Sequence, residues 1–328
     1  MRIELSCASK TFLLGEYLVL NSGSALVLNL EPRFNLVAST RGSGLVEGID
    51  PNSPAGQWIR QNAIHYRNLD LRFVDPHNGI GGFGASSAQF LFAYMLTEIL
   101  KSVASGRGNE ALASGASKSL TSHVQAETVW RAYRQLESVS QEGLRASGAD
   151  VAAQFVGGLA EVHTEPFSVE IKKWPFEDCD VVILHTGVKV ATHEHLRGLK
   201  RVNTEELEWI YARAVEGLAK KEPDDFYHSI NDYHAELLEM GLVAEHTQIL
   251  SAILLSKPFV RAVKGCGALG ADTMAVFVGR DNRERLDELV ESLQEKYEGL
   301  RIVCDLSRLS RGYDIKTSES QAAAEPST

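Results

Sequence analysis

A run of small residues, Gly79-Ile80-Gly81-Gly82-Phe83-Gly84-Ala85-Ser86-Ser87-Ala88-Gln89, leads directly into the apolar stretch Phe90–Leu96. Glycines let the backbone approach a ligand closely and accept positive φ. A helix that starts at Ser86 or Ser87 points its free N–H groups and the positive end of its dipole into the loop. Such an arrangement binds anions, phosphate above all. The spacing Gly79-x-Gly81-x-x-Gly84 also matches the dinucleotide fingerprint, but Asp75-Pro76-His77-Asn78 breaks the strand that should precede it. The acid expected about 20 residues further on, Glu98, falls inside the helix. A Walker loop is excluded as well, since no Gly-Lys-Ser/Thr closes the run. The stretch reads as a phosphate loop of a third kind.

Three more stretches carry chemistry. Ser9-Lys10-Thr11-Phe12-Leu13-Leu14-Gly15-Glu16-Tyr17 places a lysine between strands and ends in Gly-Glu-Tyr. Ser147-Gly148-Ala149-Asp150 sets an acid on a tight turn at a helix start. Lys264-Gly265-Cys266-Gly267-Ala268-Leu269-Gly270-Ala271-Asp272 is a second small-residue loop ahead of a strand at 273–278. Taken alone, Asp150 reads as a helix cap and Glu16 as a turn residue. Together with the glycine loops they supply what phosphoryl transfer requires: backbone N–H groups for a triphosphate, oxygens for Mg²⁺, a cation near the moving charge, and an acid near the acceptor hydroxyl.

The elements that must position these residues follow from periodicity. Alternation over Ile3, Leu5 and Cys7, then the runs Phe12–Leu14, Leu18–Leu20, Ala25–Leu28 and Phe34–Val37, predict strands separated by turns up to about Val46. A short helix is expected over 55–67, a strand at Leu71–Val74, a Gly/Ser/Ala-rich loop at 105–119 and a helix at about 122–137. Strands near 159–163 and 168–172 complete the first half. Trp174-Pro175-Phe176 marks a boundary, so residues 1–174 and 175–315 are expected as two α+β domains with a cleft between them. The second opens with the buried strand Val181–Leu184, followed by helices at 204–220, 224–240 and 245–256. Asp281 with Glu284 resembles a capping box ahead of a helix that buries Leu286, Leu289, Val290 and Leu293; a strand follows at 300–305. The polar tail 316–328 is expected to be disordered.

Composition narrows the function. With 328 residues there is room for two cores. A net charge of −10 argues against nucleic-acid binding, and an anionic substrate must then be held by a local cluster. No apolar run reaches the length of a membrane span. Met1-Arg2-Ile3-Glu4-Leu5 alternates like a strand, not a signal peptide. Cys7, Cys179, Cys266 and Cys304 are scattered, as in a reduced cytoplasmic protein.

The four stretches together resemble the GHMP family of small-molecule kinases (galactose, homoserine, mevalonate and phosphomevalonate kinases) over nearly the whole chain. The first is similar to P-x-K-h-h-h-h-G-E-H, with Lys10, Gly15 and Glu16 in place and Tyr17 where phosphomevalonate kinases often carry Tyr. Gly82–Ala88 resembles G-L-G-S-S-A with one additional small residue. Gly267–Asp272 resembles G-A-G-G-G-D, with Leu269 and Ala271 in place of glycines. The resemblance implies an N-terminal domain like ribosomal protein S5 domain 2, a ferredoxin-like C-terminal domain, and ATP and Mg²⁺ as cofactors. It implies ATP contacts from Gly81, Gly82, Gly84, Ala85, Ser86 and Ser87, and metal ligation by Ser87 with Glu137, or Glu142 as the second choice. Asp150 would orient or deprotonate the acceptor hydroxyl, and Lys10 beside it would keep it ionised. Glu16, Tyr17, Ser147, Gly148, Gly267, Ala268 and Asp272 would face the substrate.

Thr186-Gly187-Val188-Lys189-Val190-Ala191-Thr192 is similar to a stretch of phosphomevalonate kinases, so Lys189 and Thr192 would hold a second anionic group. The expected activity is transfer of the γ-phosphoryl of ATP to phosphomevalonate or mevalonate, in isoprenoid precursor synthesis, by a monomer or homodimer acting on a small anionic substrate. A decarboxylase of mevalonate diphosphate, another kinase of the family, and a non-catalytic ligand sensor are the alternatives.

Overall fold

A computed structural model of the protein describes residues 2–40, 42–106, 120–136, 146–188, 203–267 and 270–318. Seven strands make the first sheet: β1 (Arg2–Leu14), β2 (Ser24–Thr40), β3 (Val46–Glu47), β4 (Leu69–Val74), β5 (Leu159–Thr164), β6 (Phe167–Lys172) and β11 (Asp314–Ser318). β1 and β2 run antiparallel from Arg2↔Ser39 to Leu14↔Leu26. The period-two alternation of β1 buries Ile3, Leu5 and Cys7 on one face. The 17-residue β2 absorbs both apolar runs that the pattern alone separates, because its first half pairs with β5 and its second with β4. Leu18–Leu20, expected as a strand, lies instead in a 3₁₀ turn that buries Leu18 and Val19.

Among the described residues five helices accompany this sheet: α1 (Pro54–Gln61), α2 (Ala63–Tyr66), α3 (Ala85–Ala104), α4 (Ala126–Leu136) and α5 (Ala149–Val156). The helix expected over 55–67 is interrupted at Asn62, and it starts on Pro54 with the Ser53 side chain accepting the Gly56 N–H. α3 and α5 pack against β1 and β2, and α3 buries Phe90, Leu91, Phe92, Met95, Leu96 and Ile99. The core of the sheet thus lies directly beneath the small-residue run.

The second sheet holds β7 (Cys179–Thr186), β8 (Val260–Cys266), β9 (Thr273–Gly279) and β10 (Leu300–Asp305) in the order β10-β7-β9-β8, all antiparallel. Helices α6 (Glu205–Lys220), α7 (Pro223–Glu239) and α8 (Glu245–Leu255) fill the connection from β7 to β8, and α9 (Arg283–Gln294) that from β9 to β10. Strand, helices, two strands, helix, strand is the ferredoxin-like succession. No helix among the described residues is long and apolar enough to cross a membrane.

Three expectations are corrected here. Lys264-Gly265-Cys266, read as the start of a loop, finishes β8, where Cys266 pairs with Thr273. Asp281 does not cap a helix. It sits in a 3₁₀ turn, and α9 starts after Asn282 with the Arg283 guanidinium held by Asp180, Asp287 and Asp305. Residues 316–318, expected in the tail, belong to β11, which pairs with β1 from Arg2↔Ser318 to Ser6↔Asp314 and buries Ile315. The free edge of β1 supplies a ladder that five residues of ordinary composition do not announce. Residues 107–119 of the expected Gly/Ser/Ala-rich loop and 319–328 of the tail lie outside the described residues.

Candidate active site

The phosphate loop lies along β1, because the Lys10 N–H donates to Phe83 O at 2.9 Å. Its entry is a turn built on Asp75, whose carboxylate accepts the N–H groups of His77 and Gly79, each at 2.8 Å. The His77 ring stacks on Phe83 with centroids 4.0 Å apart, and its Nε2 is 2.6 Å from Ser9 Oγ. Ser9 Oγ donates to Pro32 O, which leaves the ring nitrogen as the donor. Burial pushes His77 down to about 4, so the ring is neutral near pH 7.

Gly84 precedes α3 at φ +84°, and a Cβ there would stand 2.7 Å from Lys10 Cγ. The lysine stem therefore crosses the loop at this glycine. No side chain caps α3, and its first internal bond runs from Ala88 N–H to Gly84 O. The N–H groups of Ala85, Ser86 and Ser87 are consequently left at the helix start, where they add to the dipole. Ser87 Oγ donates to Gly84 O at 2.9 Å.

Asp150 is placed by α5. Gly148 sits at φ +72° beneath Trp130, whose Nε1 donates to Ser147 O at 2.7 Å, and Ser147 Oγ accepts the Ala149 N–H. The Asp150 carboxylate accepts the N–H of Val151 at 3.0 Å. One turn on, fully buried Gln154 donates through Nε2 to Ala8 O (2.8 Å) and Gly84 O (3.3 Å), tying α5 to β1 and to the loop. Lys10 and Asp150 share a cleft of about 860 Å³, but among the described residues Lys10 makes no ion pair and rests 4.8 Å over the Phe12 ring.

The third small-residue stretch closes the cleft from the second sheet. A Cβ on Gly82 would stand 3.0 Å from the Asp272 and Thr273 side chains, and one on Gly267, at φ +86°, 3.3 Å from Asp272 Oδ2. Thr186 holds this stretch by donating to Ala271 O at 2.5 Å. Glu16 and Tyr17 line the cleft from the turn after β1, and Glu16 is ion-paired to buried Lys264.

The structure brings together, on one cleft, Lys10, Glu16, Tyr17, Gly81, Gly82, Gly84, Ala85, Ser86, Ser87, Ser147, Asp150, Gly267 and Asp272. Gly148 supports it from beneath Trp130. Glu137, Glu142, Lys189, Thr192 and Ala268 lie outside the described residues. Sequence reasoning missed His77, Phe12, Gln154 and Lys264. Only Gln154, four residues after Asp150 on one helix, had a legible signal.

Five carboxylates (Glu16, Asp50, Asp75, Asp150, Asp272) and one lysine, Lys10, line the cleft among its described residues. A triphosphate in such surroundings needs backbone N–H groups and a divalent cation to offset its charge. The oxygen of Ser87 suits Mg²⁺, which takes one or two protein oxygens together with nucleotide phosphates and water.

No protein-family model matches the chain, and a comparison with curated proteins finds no match. Solved structures do match. The chain is similar to the mevalonate kinase of Methanococcus jannaschii, at TM-score 0.66 and 17% identity over 95% of this chain and 98% of that one. It is also similar to the phosphomevalonate kinase of Streptococcus pneumoniae in complex with phosphomevalonate and AMPPNP, at TM-score 0.67 and 14% identity over 92% and 98%. A third match is the galactokinase of Lactococcus lactis complexed with galactose, at TM-score 0.67 and 12% identity over 95% of each chain. At these identities the likeness is one of fold, and the fold is that of the GHMP kinases.

Proposed function

Proceeding from that fold, we propose that the protein is an ATP- and Mg²⁺-dependent small-molecule kinase whose acceptor is phosphomevalonate or mevalonate. The observation that carries this reading is the convergence of Lys10, the 79–87 loop, Asp150, Gly267 and Asp272 on one cleft. Its volume of about 860 Å³ suits a nucleotide with a small acid beside it.

Each residue then has a role. The N–H groups of Ala85, Ser86 and Ser87 hold phosphate oxygens at the start of α3. Ser87 would hold Mg²⁺, which when bound would neutralise charge on the triphosphate. Asp150 accepts the proton of the acceptor hydroxyl, or orients it, and the Lys10 ammonium offsets charge that develops in transfer. Phosphoryl transfer asks little covalent chemistry of the protein, so positioning is the larger part of the work. Preference for phosphomevalonate rests on Tyr17, Asp272 and the 186–192 stretch.

Coupled assay of ADP release with mevalonate, phosphomevalonate, homoserine and galactose tests the reading. Magnesium-dependent turnover of phosphomevalonate or mevalonate is the expected result. Turnover of homoserine or galactose alone corrects the acceptor, and turnover of none overturns the kinase.

A further inference from the structure

Lys264 has no part in the roles just assigned, yet it is fully buried, and its ammonium sits at a junction. Nζ lies 2.5 Å from Glu16 Oε1, 2.9 Å from Gly265 O and 5.6 Å from the centroid of the Tyr233 ring. Glu16 belongs to the turn after β1, and in the same turn the Gly15 N–H donates to the Tyr233 hydroxyl. An arm from each sheet therefore meets at one charge pair. The first arm carries Tyr17, and the second, β8, runs straight into Gly267–Asp272; both walls line the cleft.

As a source of stability this pair is poorly built. A buried ion pair is often matched or bettered by apolar side chains of the same volume. Here Glu16 Oε2 is buried with no hydrogen-bond partner among the described residues, and so are both ring nitrogens of His234, which feels the Lys264 charge. Unsatisfied atoms of this kind call for an explanation beyond stability. A short charge-assisted bond differs from an apolar contact in being directional, since it sets two backbones at one distance and resists sliding. We infer that Glu16 and Lys264 form a positioning clamp that holds the Tyr17 wall and the wall of Gly267 and Asp272 at the spacing the acceptor requires, Lys264 acting through Glu16. The inference rests on the kinase reading for the identity of what is positioned, and on the ion pair alone for the clamp.

The test compares the parent with Lys264→Met and with the double substitution Glu16→Leu/Lys264→Met. The single variant is expected to melt below the parent, since it strands a buried carboxylate, and the apolar double variant close to the parent. In the double variant the Kd for MgATP should stay within about threefold while the acceptor KM rises about tenfold or more, because the net charge of the pair is unchanged and the fixed spacing of the two walls is lost. Amide hydrogen exchange should quicken at 15–17 and 270–272 although the melting temperature is kept. A double variant that matches the parent in acceptor KM and in exchange overturns the clamp and leaves the kinase reading standing. If the parent turns over no acceptor, the kinase reading fails by itself and hydrogen exchange alone decides the clamp. Should the double variant not fold, Lys264→Met alone, which removes the bond and leaves Glu16 on the cleft wall, carries the same readouts.

Discussion

At Asp150 one carboxylate has been placed without being neutralised. It stands in the first turn of α5, accepts a single backbone N–H and has no ion pair among the described residues. Asp150→Asn keeps the shape and removes the proposed proton acceptor, so kcat should fall by about 10²–10⁴ while the MgATP Kd measured by titration is nearly unchanged. An unaltered kcat would remove Asp150 from the mechanism. Gly84 invites the complementary change. At φ +84° an added Cβ is strained by about 1–2 kcal/mol, and it would also meet Lys10 Cγ at 2.7 Å. Gly84→Ala should lower both the unfolding free energy, read in urea, and the turnover, because the lysine must move off the loop.

Elements hold these residues through a few buried polar contacts. Gln154 joins α5 to β1 and to the phosphate loop, so Gln154→Leu strands Ala8 O and should cost about 1–3 kcal/mol of stability in urea. Two buried histidines make stability depend on pH. Burial holds both His77 and His234 down to about 4, against an ordinary 6.5. The unfolded chain therefore takes up protons near pH 6.5 that the folded chain refuses until about pH 4. This contribution to stability is complete above pH 6.5 and is lost progressively as pH falls towards 4. Melting temperatures at pH 7.5 and 5.0 should show it. His234→Leu, which replaces a ring with no hydrogen-bond partner among the described residues, should narrow the gap between them.

On the scale of the molecule, the chain closes on itself. After the second sheet it returns to lay β11 along β1, the strand that carries Lys10. The Arg33 guanidinium fastens the return by donating to Ser6 O, Ser310 Oγ, Arg311 O and Gly312 O. A chain ended at Tyr313 loses the β1–β11 ladder and the burial of Ile315. It should unfold about 2–4 kcal/mol more readily in urea. An unchanged urea midpoint would show that β11 adds nothing to the first sheet.

What the sequence determined by itself is local. Gly79–Ser87 ahead of an apolar run announces an anion-binding helix start, because φ > 0 and close backbone approach require glycine wherever the chain goes afterwards. The long repeats of α6, α7 and α8 announce helices for a similar reason, since 3.6-residue spacing of apolar side chains is a property of the segment. Tertiary structure decided what depends on partners far along the chain. The end of β8 at Lys264–Cys266 is strand only because β9 lies beside it, and residues 316–318 only because β1 has a free edge. The meeting of Glu16 with Lys264, 248 positions apart, leaves no mark on the composition around either residue. Charge pairing and ladder formation act through space, and only the folded chain says which distant groups share it.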